Sequence, residues 1–331
     1  MTRLFLVFFL CSLLPAFLAY KANAFDPGSG MSESRERWVE DTAGRNRGME
    51  EGESGNNQHR WSVRKVALAH TGAYSLVIAG LDRLWYQDYP RSSFHFQDDL
   101  GHWKQMDKLG HLAATYHLSR IGAWSFLAAG ARRKEAAFYG AISGTALLTA
   151  VEVLDGFSTQ WGFSPSDMAA NILGTALFLG QELAWEEQKI HLKYSYRSNS
   201  LHAFRPGLLG DKLPERLLKD YNGMTMWLSF NLNALFDRAS WAPPWLNLAI
   251  GHGASGMLGA SHNPERINGQ ELPVLVRHRQ WYLSADVDLT RIQTDSPLLS
   301  GILKGLNFVK IPLPGIQYNR VDGWIFHLAA F

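Results

Sequence analysis

Between Trp61 and about residue 190 the apolar residues gather into four segments rich in Ala, Leu and Gly, roughly 62–82, 102–131, 134–155 and 165–187, and this grouping predicts helices. The third segment carries Ala136, Gly140 and Gly144 at successive i+4 positions, and Gly174 lies in the middle of the fourth. Small residues in such a stripe let helix backbones approach closely, as in membrane-type packing. Charge interrupts each apolar stretch within about 16 to 20 residues, so hydropathy does not require four membrane spans. The pattern predicts a compact bundle lying at or partly in a membrane.

Beyond about residue 205 the period changes from helical to alternating. In 225–233, Met226, Leu228, Phe230 and Leu232 share one face, while Thr225, Ser229, Asn231 and Asn233 share the other with Trp227. Residues 281–290 repeat the pattern, with Trp281, Leu283, Ala285, Val287 and Leu289 opposite Tyr282, Ser284, Asp286, Asp288 and Thr290. Two further alternating stretches, 246–258 and 323–331, follow the same logic. The expected class is α+β: a compact helical bundle of about four helices followed by a C-terminal antiparallel β region. A chain ending on Phe331 invites comparison with outer-membrane barrels, but four or five strands fall short of the smallest barrel. The last strand puts Ala329 and His327 on the face where such a barrel wants aromatic and aliphatic residues. A small sheet packed on the bundle is the expected arrangement.

The N-terminus changes the picture of location. Arg3, the apolar run Leu4 to Leu14 and the Ala22-Asn23-Ala24 site form a secretory signal peptide whose removal leaves Phe25 first. Pro15, Tyr20 and Lys21 interrupt the stretch too early for a retained span. Residues 25–60 hold few aliphatic side chains and read as a flexible leader. The expected organisation is therefore signal peptide 1–24, leader 25–60, helical domain 61–190 and β-rich region 191–331. Cys11, the only cysteine, lies inside the signal, and Leu10 precedes it where lipidation wants a small residue. Without Arg3 and Lys21, 30 basic residues face 30 acidic ones, so the electrostatic footprint of a nucleic-acid binder is missing. The chain is expected to be exported to the periplasm or outer membrane, with membrane or envelope lipid as partner.

Candidate chemistry concentrates in the helices. Asp107 and His111 form an i, i+4 pair with Lys108 adjacent. Glu152 and Asp155 stand in the last turn of the third helix, before Gly156 as a candidate C′ residue. Acidic groups there meet the negative end of the helix dipole and need a cation, for which Lys108, His111 or a divalent metal are candidates. In Ser164-Pro165-Ser166-Asp167 the serine suits an N-cap, the proline N1 and Asp167 the N3 position of a capping box, with Asn171 one turn on. A shared polar site is expected from Asp107, Lys108, His111, Glu152, Asp155, Asp167 and Asn171. If it holds a metal, His111, Glu152 and Asp155 are the expected ligands.

The series Asp107-Lys108-x-x-His111, Glu152-x-x-Asp155 and Ser164-x-x-Asp167-x-x-x-Asn171-x-x-Gly174 resembles the YfiM-like family of predicted periplasmic or outer-membrane lipoproteins of unknown function. The stretches Trp103 to His111 and Glu152 to Gly162 look like its longer members, which carry an extra C-terminal region. The resemblance spans roughly residues 100 to 185 and implies an envelope location and a small helical domain, with no catalytic residues to carry over.

Three functions remain open on these grounds. The first is an envelope structural or binding protein whose polar cluster specifies helix packing. The second is a metal-dependent hydrolase of an envelope lipid or glycan, although no HExxH spacing occurs and no G-x-S-x-G elbow offers a serine alternative. The third is an outer-membrane pore component.

Overall fold

The computed structural model describes residues 62–331 except 85, 87–88, 237–241 and 268. The expected signal peptide and leader lie outside the described residues. Helices come first and an antiparallel sheet follows, as the change of period predicts.

Four long helices carry the first half: α1 (Val63–Leu84), α2 (Met106–Ala128), α3 (Arg133–Gly156) and α4 (Pro165–Trp185). The small-residue stripe works by backbone contact. A Cβ on Gly140 would lie 2.3 Å from the carbonyl oxygen of Ser119, and one on Gly174 would lie 2.1 Å from that of Leu112. α2 therefore sits directly against α3 and α4, close enough for polar groups on all three to meet. Gly156 has a different job from the C′ role expected of it: α3 runs through it, and its missing side chain makes room for the Phe94 ring, 2.4 Å from where a Cβ would be. At the end of α4 the Gln181 side-chain oxygen accepts from the backbone N–H of Lys189 and Ile190, which turns the chain into the first strand.

The strands are β1 (Ile190–Tyr196), β2 (Met224–Asn231), β3 (Leu246–Ser255), a two-residue hairpin β4 (Arg266–Ile267) and β5 (Gln270–Glu271), then β6 (His278–Val287), β7 (Leu313–Asn319) and β8 (Gly323–Ala330). Six of them make one antiparallel sheet in the order β1-β2-β3-β6-β7-β8. The sheet curls: Thr225 Oγ1 on β2 donates to the Phe331 carbonyl, and Phe308 to Lys310 pair with β1 just before β7 begins.

Its two faces are reversed relative to a sheet with an apolar core. The cross-strand row Leu192, Leu228, Ile250, Leu283, Ile316 and Phe326 runs over all six strands on the convex face. Helices α2 and α4 cover its β1 end, where Leu192 packs with Tyr116 and Phe178. The rest is exposed, reaching 65 % at Phe326 and 81 % at Leu328. The concave face instead buries Lys193, Ser229, Asn231, Asn247, Asp286 and Gln317 around Trp227. Gly251 leaves the space in which the Trp227 ring lies, 2.7 Å from a hypothetical Cβ. Lys193 Nζ stands 2.8 Å from Asp286 Oδ2, and Lys310 Nζ lies 4.7 Å from the Trp227 ring centre. The apolar face of β8 is Trp324, Phe326 and Leu328, not the face of Ala329 and His327 from which the strand was judged in sequence. His327 turns inward to Gln317 at 2.7 Å.

Candidate functional site

The polar cluster forms where the N-terminus of α2 meets the C-terminus of α3 and the N-terminus of α4. Ser164 caps α4 by accepting from the Asp167 backbone N–H at 3.0 Å, and Pro165 fills N1. The other half of a capping box would need the Asp167 carboxylate on the Ser164 N–H. Glu152 Oε2, from α3, takes that N–H at 3.3 Å instead. The exchange frees Asp167 for the first turn of α2.

There Lys108 supplies the charge. Its Nζ is 2.7 Å from Asp99 Oδ1, 2.9 Å from Asp167 Oδ1 and 3.4 Å from Asp107 Oδ2. Asp99 is further held by the Ser164 and Ser166 hydroxyls at 2.6 and 2.9 Å, and Asp107 by the Tyr221 hydroxyl at 2.8 Å. One turn on, His111 Nδ1 lies 3.2 Å from Asn171 Oδ1 and 3.4 Å from Glu152 Oε1, while Nε2 is 3.7 Å from Asp167 Oδ1. Thr115 completes the group by donating to Asn171 Oδ1 at 2.9 Å.

Six of the seven expected residues thus share one buried junction. Asp155 is placed at its edge, where Tyr86 on the loop after α1 donates to its Oδ1 at 2.8 Å. Within the set His111, Glu152 and Asp155, only the first two face each other. The donor atoms that approach within 4.8 Å of one another belong to Asp107, His111 and Asp167. Lys108 already presents its ammonium to two of those three side chains, so a divalent ion could use the trio only with Lys108 displaced.

Asp99 and Tyr221 were not foreseen. Asp99 lies on the loop before α2 and Tyr221 just before β2, so helical spacing gives no signal for either; the adjacent acids Asp98 and Asp99 before a helix were the only hint.

The charges of the junction are unequal. Burial, followed by the charges of Asp167 and Asp155, raises the Glu152 carboxyl to about 9. Burial and Asp107 likewise raise Asp167, against the pull of Lys108. Burial lowers the His111 imidazole, which is therefore neutral at pH 7. Glu152 Oε1 and Asp167 Oδ1 are buried without a well-directed hydrogen bond. Asp99 and Asp107 carry the charge that Lys108 neutralises, whereas Glu152 and Asp167 hold protons near neutrality. The arrangement ties three helices to the β region through Tyr221.

A family model described as a predicted periplasmic lipoprotein (DUF2279) matches residues 95–179, about a quarter of the chain. The match takes in the members of the junction from Asp99 to Asn171 and leaves Tyr221 and the sheet outside. No curated protein and no solved structure matches the chain. The similarity supports an exported protein of the cell envelope.

Proposed function

We propose that this chain is a structural or binding protein of the cell envelope that is seated in the surface of a lipid bilayer by the convex face of its sheet. The observation that carries the reading is the reversed polarity of that sheet, with charge buried on the concave side and an apolar row left open on the convex one. Exposed apolar area this continuous marks an interaction surface. On an antiparallel sheet whose other face is filled with ion pairs, alternation of lipid-facing and inward polar residues is the pattern of membrane β-structure. The anchor then needs no lipid on Cys11. In this reading the helical domain is YfiM-like, and its polar junction is a packing device.

Lys108 favours packing over metal chemistry, because its ammonium stands where a cation would sit. The convergence of Asp107, His111 and Asp167 keeps a metal-dependent hydrolase as the second reading. Against a pore, Lys193, Trp227, Asp286 and Lys310 fill the concave side of the sheet.

The test attaches an environment-sensitive fluorophore to single cysteines introduced at Leu283, Phe326 or Glu271 in a cysteine-free chain reconstituted with phosphatidylcholine vesicles. Emission from positions 283 and 326 should shift to the blue and that from 271 should stay water-like. Water-like emission from all three would overturn the reading.

A further inference from the structure

Along the convex face the side chains change character in steps of two residues. On β6 the order is Leu283, Trp281, Arg279; on β7 and the turn that follows it is Ile316, Tyr318, Arg320, running the same way because the strands are antiparallel. The middle tier is a cross-strand row in which Trp281 is opposite Tyr318 and Tyr318 is opposite Trp324, with the last two rings 4.9 Å apart. Trp324 is 73 % exposed. Each step of two residues is about 7 Å along a strand, so aliphatic, aromatic and basic tiers follow one another over the depth of a bilayer's interfacial zone.

The basic tier is a concavity of about 200 Å³ lined by Lys104, Arg277, Arg279 and Arg320 beside Trp281 and Tyr318, and no carboxylate among the described residues lines it. Neutral oxygens orient the guanidinium groups. Arg277 donates to the Gly259 carbonyl at 3.0 Å, Arg320 to the Arg277 carbonyl at 3.1 Å, and Arg279 to the Gln105 side-chain oxygen. Among the described residues none of the four enters a salt bridge, and Arg277 Nε is buried without a partner. Lys104 is brought in from the helical domain by three consecutive non-glycine residues in the left-handed region, Trp103, Lys104 and Gln105 at φ 50°, 55° and 68°. Strain of this kind persists where surrounding structure enforces it, and it gathers at functional sites. Burial and the charges of Arg277, Arg279 and Arg320 lower the Lys104 ammonium, as expected where positive charge lacks an anion.

We propose that Lys104, Arg277, Arg279 and Arg320 form a binding site for the phosphate headgroup of an anionic membrane lipid, whose acyl chains run past Trp281 and Tyr318 onto the apolar convex face. This inference rests on the bilayer-seated reading above. Guanidinium groups suit it because their planar donors match phosphate oxygens. The apolar face selects lipid over free phosphate as the source of the anion, since only a lipid covers both tiers at once.

The experiment is flotation of the full chain with vesicles of phosphatidylcholine alone and with one-fifth phosphatidylglycerol, for the parent, Lys104→Gln and the double variant R279Q/R320Q. Parent binding should rise with phosphatidylglycerol. Removal of each basic group should reduce that rise about fivefold while binding to phosphatidylcholine persists. Among the described residues Lys104 Nζ donates no hydrogen bond, so Lys104→Gln tests the site even if the double variant unfolds. A parent that binds neither vesicle defeats the bilayer reading and the site with it. Equal binding to both vesicles defeats the headgroup site alone, as does an unchanged rise in folded variants. If inorganic phosphate binds the parent and abolishes the phosphatidylglycerol increment at millimolar concentration, the pocket takes the free ion and the lipid assignment is wrong.

Discussion

Two groups of buried charge divide the molecule, one at the α2–α3–α4 junction and one on the concave face of the sheet. In the sheet each of the two buried carboxylates has its own partners, while burial lowers the Lys310 ammonium to about 8. Asp286 receives Lys193 at 2.8 Å and the Ser229 hydroxyl at 2.7 Å; Asp288 receives His191 at 3.1 Å and the Thr290 hydroxyl at 2.6 Å. At the helical junction three carboxylates, Asp99, Asp107 and Asp167, contact the one Lys108 ammonium and Glu152 stands beside them, and Glu152 and Asp167 relieve the excess by holding protons. Matched pairs of this kind fix geometry at one protonation state. An unmatched cluster leaves the stability of its region dependent on pH. The difference implies that the sheet's carboxylates stay charged and held in place, and that the helical junction is where carboxyl groups can respond.

The largest effect that would break this contrast concerns the sheet. Replacing Lys193 by Met leaves Asp286 buried beside an apolar group, and breaking such a pair costs about 3 to 5 kcal/mol. Urea melts should show that loss, and a second change, Asp286→Leu, should restore much of it because both charges are then gone. A Lys193→Met protein as stable as its parent would mean that the pair is dispensable and the sheet no more fixed than the helices.

Next comes the contact that makes the junction possible. Gly174→Ala places a methyl 2.1 Å from the Leu112 carbonyl oxygen, so α2 and α4 must separate. Overpacking of this sort costs about 1 to 3 kcal/mol. It should also pull Asp167 away from Lys108, so the melting temperature should fall and its pH dependence should change together. A fall with unaltered pH dependence would show that the cluster tolerates the separation.

These positions also show how far the chain could be read without coordinates. Gly140 and Gly174 declared close helix contacts because small residues at helical spacing have few other causes. Asp107, Lys108, His111, Glu152, Asp167 and Asn171 could be grouped because each sits at a helix end or at i+4 from another. Asp99 and Tyr221 could not, since only the tertiary fold brings a loop and the entry to β2 to the same place. Strand β1 escaped notice because Lys193 and His191 occupy its inward face, and β7 because Pro314 and Gly315 break its pattern. Alternation in β2 and β6 separated two faces correctly, but a period of two carries no information about which face meets water and which is filled. Burial of the polar face is a property of the whole sheet, decided when Lys193, Asp286 and Lys310 find one another across strands.

The last effect is absent at acid pH, grows as pH rises, and has the most informative sign. Glu152 is raised from 4.5 to about 9, so the folded chain keeps a proton that the unfolded chain gives up. Its contribution to stability is complete below about pH 4.5 and is lost as pH rises through about 9. Glutamine imitates the protonated acid without titrating. Glu152→Gln should therefore match its parent at pH 4.5 and melt at a higher temperature at pH 8.5, with a residual slope left by Asp167, which is raised in the same direction. Thermal melts across that range, with and without a chelator, set this outcome against the metal reading. If Asp107, His111 and Asp167 hold a divalent ion, the chelator should lower the parent's melting temperature and zinc should restore it. A chelator-insensitive parent together with an alkaline gain for Glu152→Gln would leave Lys108 as the only cation of the junction and the carboxyl protons as its variable part. Loss of stability in Glu152→Gln at both pH values would mean that Glu152 is ionised in the folded protein, accepting from Ser164 and His111 as a charged group, and the contrast between the two regions would disappear.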